Sequence, residues 1–170
     1  HVVASLFFES NIVYWRESGY FAMDSHEKWL LHTWSLSAEW QFYLLYPIAL
    51  IVAQRYLSHV QLRWFCVTLV ILGFAAATLA ASRSPDAAFY LLPTRAWEML
   101  LGGVAYFFPP PGGRHTRKYI ELLGLLAIAA GTALITGSNT WPGPFTLLPA
   151  GGAFLVIMAC RSDSTGLSAR

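Results

Sequence analysis

The sequence predicts an all-α fold, a polytopic bundle of transmembrane helices with about five complete spans plus one partial N-terminal span, since a complete span needs about 20 apolar residues. Three observations predict it. The 170 residues are 56% hydrophobic and only 12% charged, where a soluble domain carries about 25% charged residues. The mean hydropathy is positive, at +0.49. The apolar residues also gather into separate runs, divided by polar stretches that carry proline, glycine and most of the charge. The net charge of +2 is spread over these connections with no basic stripe, so the lipid bilayer is the expected surroundings and nucleic acid is not an expected partner.

In chain order, Val2 to Trp15 is apolar but interrupted by Glu9 and Asn11, and at that length it completes only the outer part of a helix begun upstream. Arg16 to Leu31 reads as a polar loop with Tyr14, Trp15, Tyr20, Phe21 and Trp29 near its ends, as expected at the headgroup zone. A second span is expected from about Ser35 to Gln54, a basic turn from Arg55 to Arg63, and a third span from Trp64 to Ala81 with no ionisable group. Ser82 to Ala88 is a short turn. Phe89 to Phe108 is a fourth apolar segment that holds Pro93, Arg95 and Glu98. Pro109 to Gly113 ends any helix, and Arg114 to Lys118 makes a basic connector before a fifth span from Tyr119 to Thr136. Gly137 to Pro144 is a turn, and Phe145 to Cys160 is a sixth segment bent or closely packed at Pro149, Gly151 and Gly152. Residues 1–160 form the membrane domain. Arg161 to Arg170 is a polar tail that ends abruptly, and with the start at His1 this reads as an internal fragment. Cys66 and Cys160 lie inside apolar runs without metal-ligand spacing and read as small buried hydrophobes.

The loops fall into a basic and a less basic side. Arg55, Arg63, Arg114, Arg117, Lys118, Arg161 and Arg170 share one side, and only Arg16, Lys28 and Arg83 the other. Cytoplasmic connections are enriched in Lys and Arg, so the basic side is expected in the cytoplasm. The entrance at His32, the stretch from Pro93 to Glu98 and the turn from Asn139 to Pro144 then all lie toward the outer face, as one outward-facing site would require.

Chemistry concentrates in His32 to Pro47, HTWSLSAEWQFYLLYP. Ser35 or Ser37 can cap the helix that follows. Glu39 in its first turns is favoured by the helix dipole, and Ser35, Phe42, Tyr43 and Tyr46 stand at helical spacing from it on one face. Ionisable groups inside a membrane segment are expensive and mark function by default.

These words resemble the signature of acyltransferase family 3, whose usual form reads HTWSLSVEEQFYLLYP or close to it. Three further stretches resemble the same family in the same order: SNIVYWRESGYF (10–21), FYLLPTRAWEMLLG (89–102) and WPGPFTLLPAGGAFLVI (141–157). The departure is Trp40, where the commonest pattern has a second glutamate, which leaves Glu39 as the only carboxylate of the motif. The resemblance implies a multi-pass enzyme of the bacterial inner membrane. Such an enzyme transfers an acyl group, typically acetyl, from a thioester donor such as acetyl-CoA, with no bound cofactor, to a hydroxyl of a cell-surface carbohydrate of O-antigen, peptidoglycan or exopolysaccharide type. The family's catalytic histidine and a cytoplasmic arginine motif would lie before His1, so this piece alone is expected to be inactive.

Acyl transfer to a hydroxyl needs a base for the acceptor proton, donors for the developing oxyanion, and a dry, positioned donor. Glu39 and His32 are the catalytic candidates, with Glu39 desolvated by lipid and aromatics so as to orient a histidine. Arg95, Glu98, Ser35 and Tyr43 are the substrate-binding candidates, Arg95 because its planar fork holds carboxylate or phosphate. Each has a plainer reading. Glu39 can pair locally, His32 can cap or anchor at the interface, and Arg95 and Glu98 at i and i+3 can pair with each other. Trp34, Trp40, Tyr43 and Tyr46 can be belt and core. No metal site, phosphate-cradling loop or nucleophile elbow is present in the sequence. The rival from another class is a polytopic transporter or flippase for a lipid-linked saccharide, which buried charge and broken helices also mark; no inverted repeat supports it.

Overall fold

The computed structural model describes residues 1–18, 32–108, 112–134 and 142–161. It is all-α among the described residues and divides into two compact units, one of His1–Met99 with Thr140–Pro142, the other of Leu100–Asn139 with Gly143–Arg170.

In the first unit the expected single N-terminal segment is two helices, α1 (Val2–Leu6) and α2 (Ser10–Ser18). The break falls at Phe8, whose φ is +57°, a left-handed conformation unusual for a bulky residue. Gln41 Nε2 donates to the Phe8 carbonyl at 2.9 Å, and the Phe8 ring stacks on Trp40 at 4.5 Å. Both restraints come from α3 (Thr33–Tyr56). Residues 19–31, the rest of the expected polar loop, lie outside the described residues.

α3 and α4 (His59–Arg83) are the two described helices long and apolar enough to cross a membrane. At about 1.5 Å per residue each reaches beyond the roughly 30 Å hydrocarbon core. Both run past their expected bounds, so the basic turn contracts to Leu57 and Ser58. The reason is a capping box in which Ser58 accepts from the Gln61 amide and Gln61 accepts from the Ser58 amide, which satisfies orphan donors of the first turn of α4. Pro47 sits inside α3, which continues through it.

The expected fourth span is likewise divided, into α5 (Pro85–Tyr90) and α6 (Leu92–Phe107). Leu91 between them is extended, at φ −85° and ψ 142°. Thr94 Oγ1 covers the Leu91 carbonyl at 2.8 Å. α4 and α6 meet where a Cβ on Gly73 would stand 2.9 Å from Trp97 Cβ. Trp97 is buried, with the Phe74 ring edge-on to it at 4.9 Å.

In the second unit α7 (Arg114–Leu134) takes the basic connector into its first turns, and α8 (Leu147–Cys160) follows a 3-10 turn at Pro144–Thr146. α7 and α8 cross at glycines: a Cβ on Gly124 would meet the Gly152 carbonyl oxygen at 2.6 Å, and one on Gly152 would meet the Gly124 oxygen at 2.6 Å. Such small-residue crossings let membrane helices approach closely. Of the expected packing glycines Gly152 takes this role and Gly151 faces open space. Cys66 is buried as expected, whereas Cys160 is exposed at the end of α8.

Of the five complete spans expected, two helices of membrane length, α3 and α4, stand among the described residues. The breaks at Phe8 and Leu91 and the 3-10 turn before α8 shorten the other runs, and α7 spends its first two turns on Arg114, Arg117, Lys118 and Glu121.

Candidate functional site

The first unit gathers its polar side chains at one end of α3. α5 packs on the start of α3, with the Trp34 ring 4.6 Å from Phe89 and 5.2 Å from Tyr90. α4, leading into α5, therefore ends where α3 begins.

Arg95 is the centre of this region. Its Nη2 donates to Glu98 Oε2 at 3.1 Å, with both side chains partly buried, at 21% and 22% exposure. Its guanidinium lies 5.1 Å from the centroid of the Trp34 ring, a cation–π contact that strengthens when desolvated. The pairing weighed as the plain reading of Arg95 and Glu98 is thus present, and Arg95 also joins the stretch around His32 to the stretch around Pro93.

A polar seam that sequence reasoning missed runs beside it. Ser10 and Ser37 share a buried hydrogen bond of 2.7 Å. Thr33 Oγ1 donates to Ser10 at 3.3 Å and shares a bond of 2.9 Å with Ser5. Gln41 Nε2 donates to Asn11 Oδ1 at 3.0 Å, Asn11 Nδ2 returns a bond to Gln41 Oε1 at 3.4 Å, and Asn11 also donates to the Tyr90 carbonyl at 3.2 Å. Buried polar groups without water must bond each other, so the seam locks α1, α2, α3 and α5 in register. The available signal was Ser37 and Gln41 at i and i+4 on α3, facing Ser10 and Asn11 set inside an apolar run.

The remaining candidates lie elsewhere on α3. At about 100° per residue, His32, Ser35, Glu39 and Tyr43 fall on one stripe, on the side of the helix away from Ser37 and Gln41. His32 occupies the N-cap position with no side-chain cap bond. Ser35 Oγ donates to the His32 carbonyl at 3.2 Å, and Ser37 donates to the Thr33 carbonyl at 3.2 Å, so neither serine caps the helix as expected. Glu39 is exposed, as are His32 and Tyr43, and Glu39 makes no hydrogen bond or ion pair among the described residues. The desolvation by aromatics expected for Glu39 is not supplied by the side chains of the described residues, which leave it exposed. Arg95 and Glu98 thus come together with Trp34, while His32, Ser35, Glu39 and Tyr43 form a separate open stripe. Asn139 lies outside the described residues. No cluster of three metal-ligating side chains occurs among the described residues.

An all-α arrangement with two helices of membrane length, a half-buried ion pair and a hydrogen-bonded seam between its helices fits a membrane protein with a polar site built at one helix end. Comparison with known proteins gives its family. The acyltransferase domain of acyltransferase family 3 matches residues 2–168, and the chain belongs to that family. It is similar to the putative membrane-bound transacylase BcsY of Komagataeibacter xylinus, 29% identical over 91% of this chain and 39% of that protein. It is 26% identical to the O-acetyltransferase OatA of Staphylococcus aureus over 95% of this chain and 29% of that protein. An uncharacterized protein of Haemophilus influenzae is 32% identical over 57% of this chain and 42% of its own length. The chain spans less than half the length of these relatives, and no solved structure matches it. It is a membrane-bound acyltransferase-family protein.

Proposed function

We propose that the protein transfers an acyl group, acetyl in the first instance, from a thioester such as acetyl-CoA to a hydroxyl of a cell-surface carbohydrate at the outer face of the bacterial inner membrane. The acceptor oxygen attacks the thioester carbonyl, its proton passes to a base, the carbon–sulfur bond breaks and the thiolate leaves. The observation that supports this reading is the position of Arg95 over Trp34, which joins two stretches of the family resemblance in one half-buried site. In this reading Arg95 holds an anionic group of donor or acceptor through its fork, Glu98 sets the guanidinium plane, and Thr94 keeps the start of α6 in place.

Glu39 orients a histidine that the resemblance puts outside these 170 residues. The open stripe of His32, Ser35, Glu39 and Tyr43 is the face on which that meeting takes place. The test is acyl transfer from a radiolabelled thioester to carbohydrate by the intact membrane protein, wild type against Glu39→Gln at equal membrane abundance. Label in the carbohydrate product of the wild type alone supports the reading. Undiminished transfer by Glu39→Gln removes Glu39 from the site, and carbohydrate moved across the membrane without label would make the protein a transporter.

A further inference from the structure

A second polar site stands at the far end of α5. The last turn of α2 and the corner between α4 and α5 enclose an open cavity of about 450 Å³ lined by Trp15, Arg16, Ser18, Arg83, Ser84 and Asp86, with Pro85 and Ala87 at its edge. Its size falls in the range of small-molecule sites, about 300–1,000 Å³, and its lining is polar and apolar in equal parts. Arg16 comes from α2 and Arg83 from α4, so the two arginines line the cavity from different helices. Among the described residues neither is hydrogen-bonded or ion-paired, and Asp86 is not either. Two other arginines of the unit differ: Arg95 is paired with Glu98, and Arg63 lies over Trp64 at 5.5 Å.

We infer that this groove is an acceptor subsite that takes a carbohydrate carrying a carboxylate or phosphate, the anion on Arg16 and Arg83 and a sugar ring against Trp15. This rests on the reading of the acceptor as a carbohydrate. Two guanidinium forks suit a bidentate oxyanion. Asp86 opposes a bare anion but accepts from sugar hydroxyls, and Ser18 and Ser84 add hydroxyl partners, so the lining favours a hydroxyl-rich anion over a simple ion. A lipid headgroup fits less well, because of the lining only Trp15, Pro85 and Ala87 are apolar, and Trp15 is taken by the sugar ring. α5 connects the groove to the Arg95 site. Asp86 and Ala87 are in its first turn, Phe89 and Tyr90 in its last turn touch Trp34, and Thr94 Oγ1 reaches back to the Ala87 carbonyl at 3.4 Å. Six residues of helix span about 9 Å, a length that one oligosaccharide can bridge.

The test is binding of three tetrasaccharides of equal length, uronic, phosphorylated and neutral, to the intact membrane protein in nanodiscs of zwitterionic lipid. Wild type is compared with Arg16→Gln, Arg83→Gln and the double variant, each checked for an unchanged melting temperature. One or both acidic oligosaccharides should bind more tightly than the neutral one, and the two acidic arms distinguish carboxylate from phosphate. Each single variant should weaken acidic binding about tenfold, the loss of one charge-assisted contact, and raised salt should act in the same direction. Equal binding of acidic and neutral ligands, or double-variant binding equal to wild type, would overturn the inference. So would displacement of the saccharide when phosphatidylglycerol is added to the nanodisc, which makes the groove a lipid site. The same samples, given labelled thioester, separate the two readings. Acidic saccharide bound but never acylated overturns the proposed function alone, whereas transfer that ignores both acceptor charge and the arginine variants overturns the groove alone.

Discussion

Gln41 and Asn11 hold each other by their amides, Gln41 Nε2 to Asn11 Oδ1 at 3.0 Å and Asn11 Nδ2 to Gln41 Oε1 at 3.4 Å. The same two side chains spend their other donors on backbone carbonyls, Phe8 and Tyr90. One pair therefore fixes the break between α1 and α2 and sets α5, with Trp34 beneath it, beside α3. The geometry of the Arg95 site depends on a contact that touches no candidate substrate.

Replacing Gln41 by Leu should destabilise the protein by about 1–3 kcal/mol, the cost of leaving buried polar partners unsatisfied. The Phe8 carbonyl and one Asn11 oxygen lose their donor together. Asn11→Leu should cost a similar amount, and the double variant less than the sum of the two, because both amides are then gone. Thermal unfolding in detergent gives the cycle; strict additivity would show that the pair does not couple.

Arg95 and Glu98 can be separated into a structural pair and a binding group by charge-matched replacement. Arg95→Leu alone leaves a half-buried carboxylate unpaired and should destabilise the protein, while Arg95→Leu with Glu98→Leu should recover stability, since an apolar pair of similar volume is often neutral. Acyl transfer should stay absent in the double variant if Arg95 grips substrate. Arg95→Lys, which keeps charge but loses the planar fork, should bring back stability more than activity. A stable double variant with wild-type turnover would reduce Arg95 to a helix clamp.

What was legible in the sequence follows from range. The two runs that became α3 and α4 are apolar over their own length, and the turn between them shortened because Ser58 and Gln61 form a cap from four residues. The breaks were hidden. Nothing near Phe8 is a helix breaker; its left-handed backbone is held by Gln41 and Trp40, more than thirty residues on. Arg95 with Glu98 could be read from i,i+3 spacing, but the placement of Trp34 under Arg95 needed α5 to fold over α3. Glu39 was expected among aromatics, yet its own helix turns it away from Ser37 and Gln41, and local spacing could not say which face the seam would claim.

The glycine crossing of α7 and α8 separates a packed position from an idle one. Gly152→Ala puts a methyl group against the Gly124 carbonyl oxygen, 2.6 Å away, and against the Ile128 side chain and amide. Backbone atoms on a helix cannot step aside singly, so the helices must part, at about 1–3 kcal/mol for overpacking. Gly124→Ala should cost as much, against the Gly152 oxygen. Gly151→Ala, one residue away with nothing within 4 Å, should be neutral or stabilise by up to about 1 kcal/mol through helix propensity. Melting temperatures in one detergent give the comparison.

Arg161 closes the second unit at the end of α6. Its Nη1 donates to the carbonyls of Ala105 at 3.3 Å and Phe108 at 2.9 Å and to that of Tyr106, and its guanidinium lies 5.1 Å from the Tyr106 ring centroid. The last carbonyls of a helix have no partner within it, and a cation there also answers the negative end of the helix dipole. Arg161→Ala should therefore cost about 1.5–3 kcal/mol, as for a hydrogen bond to a charged group, and should speed amide exchange in the last turn of α6. Arg161→Lys keeps the charge but reaches fewer carbonyls with one ammonium, so it should fall between the two. If the alanine variant exchanges like wild type, the α6 end is held by other contacts and Arg161 is a surface charge.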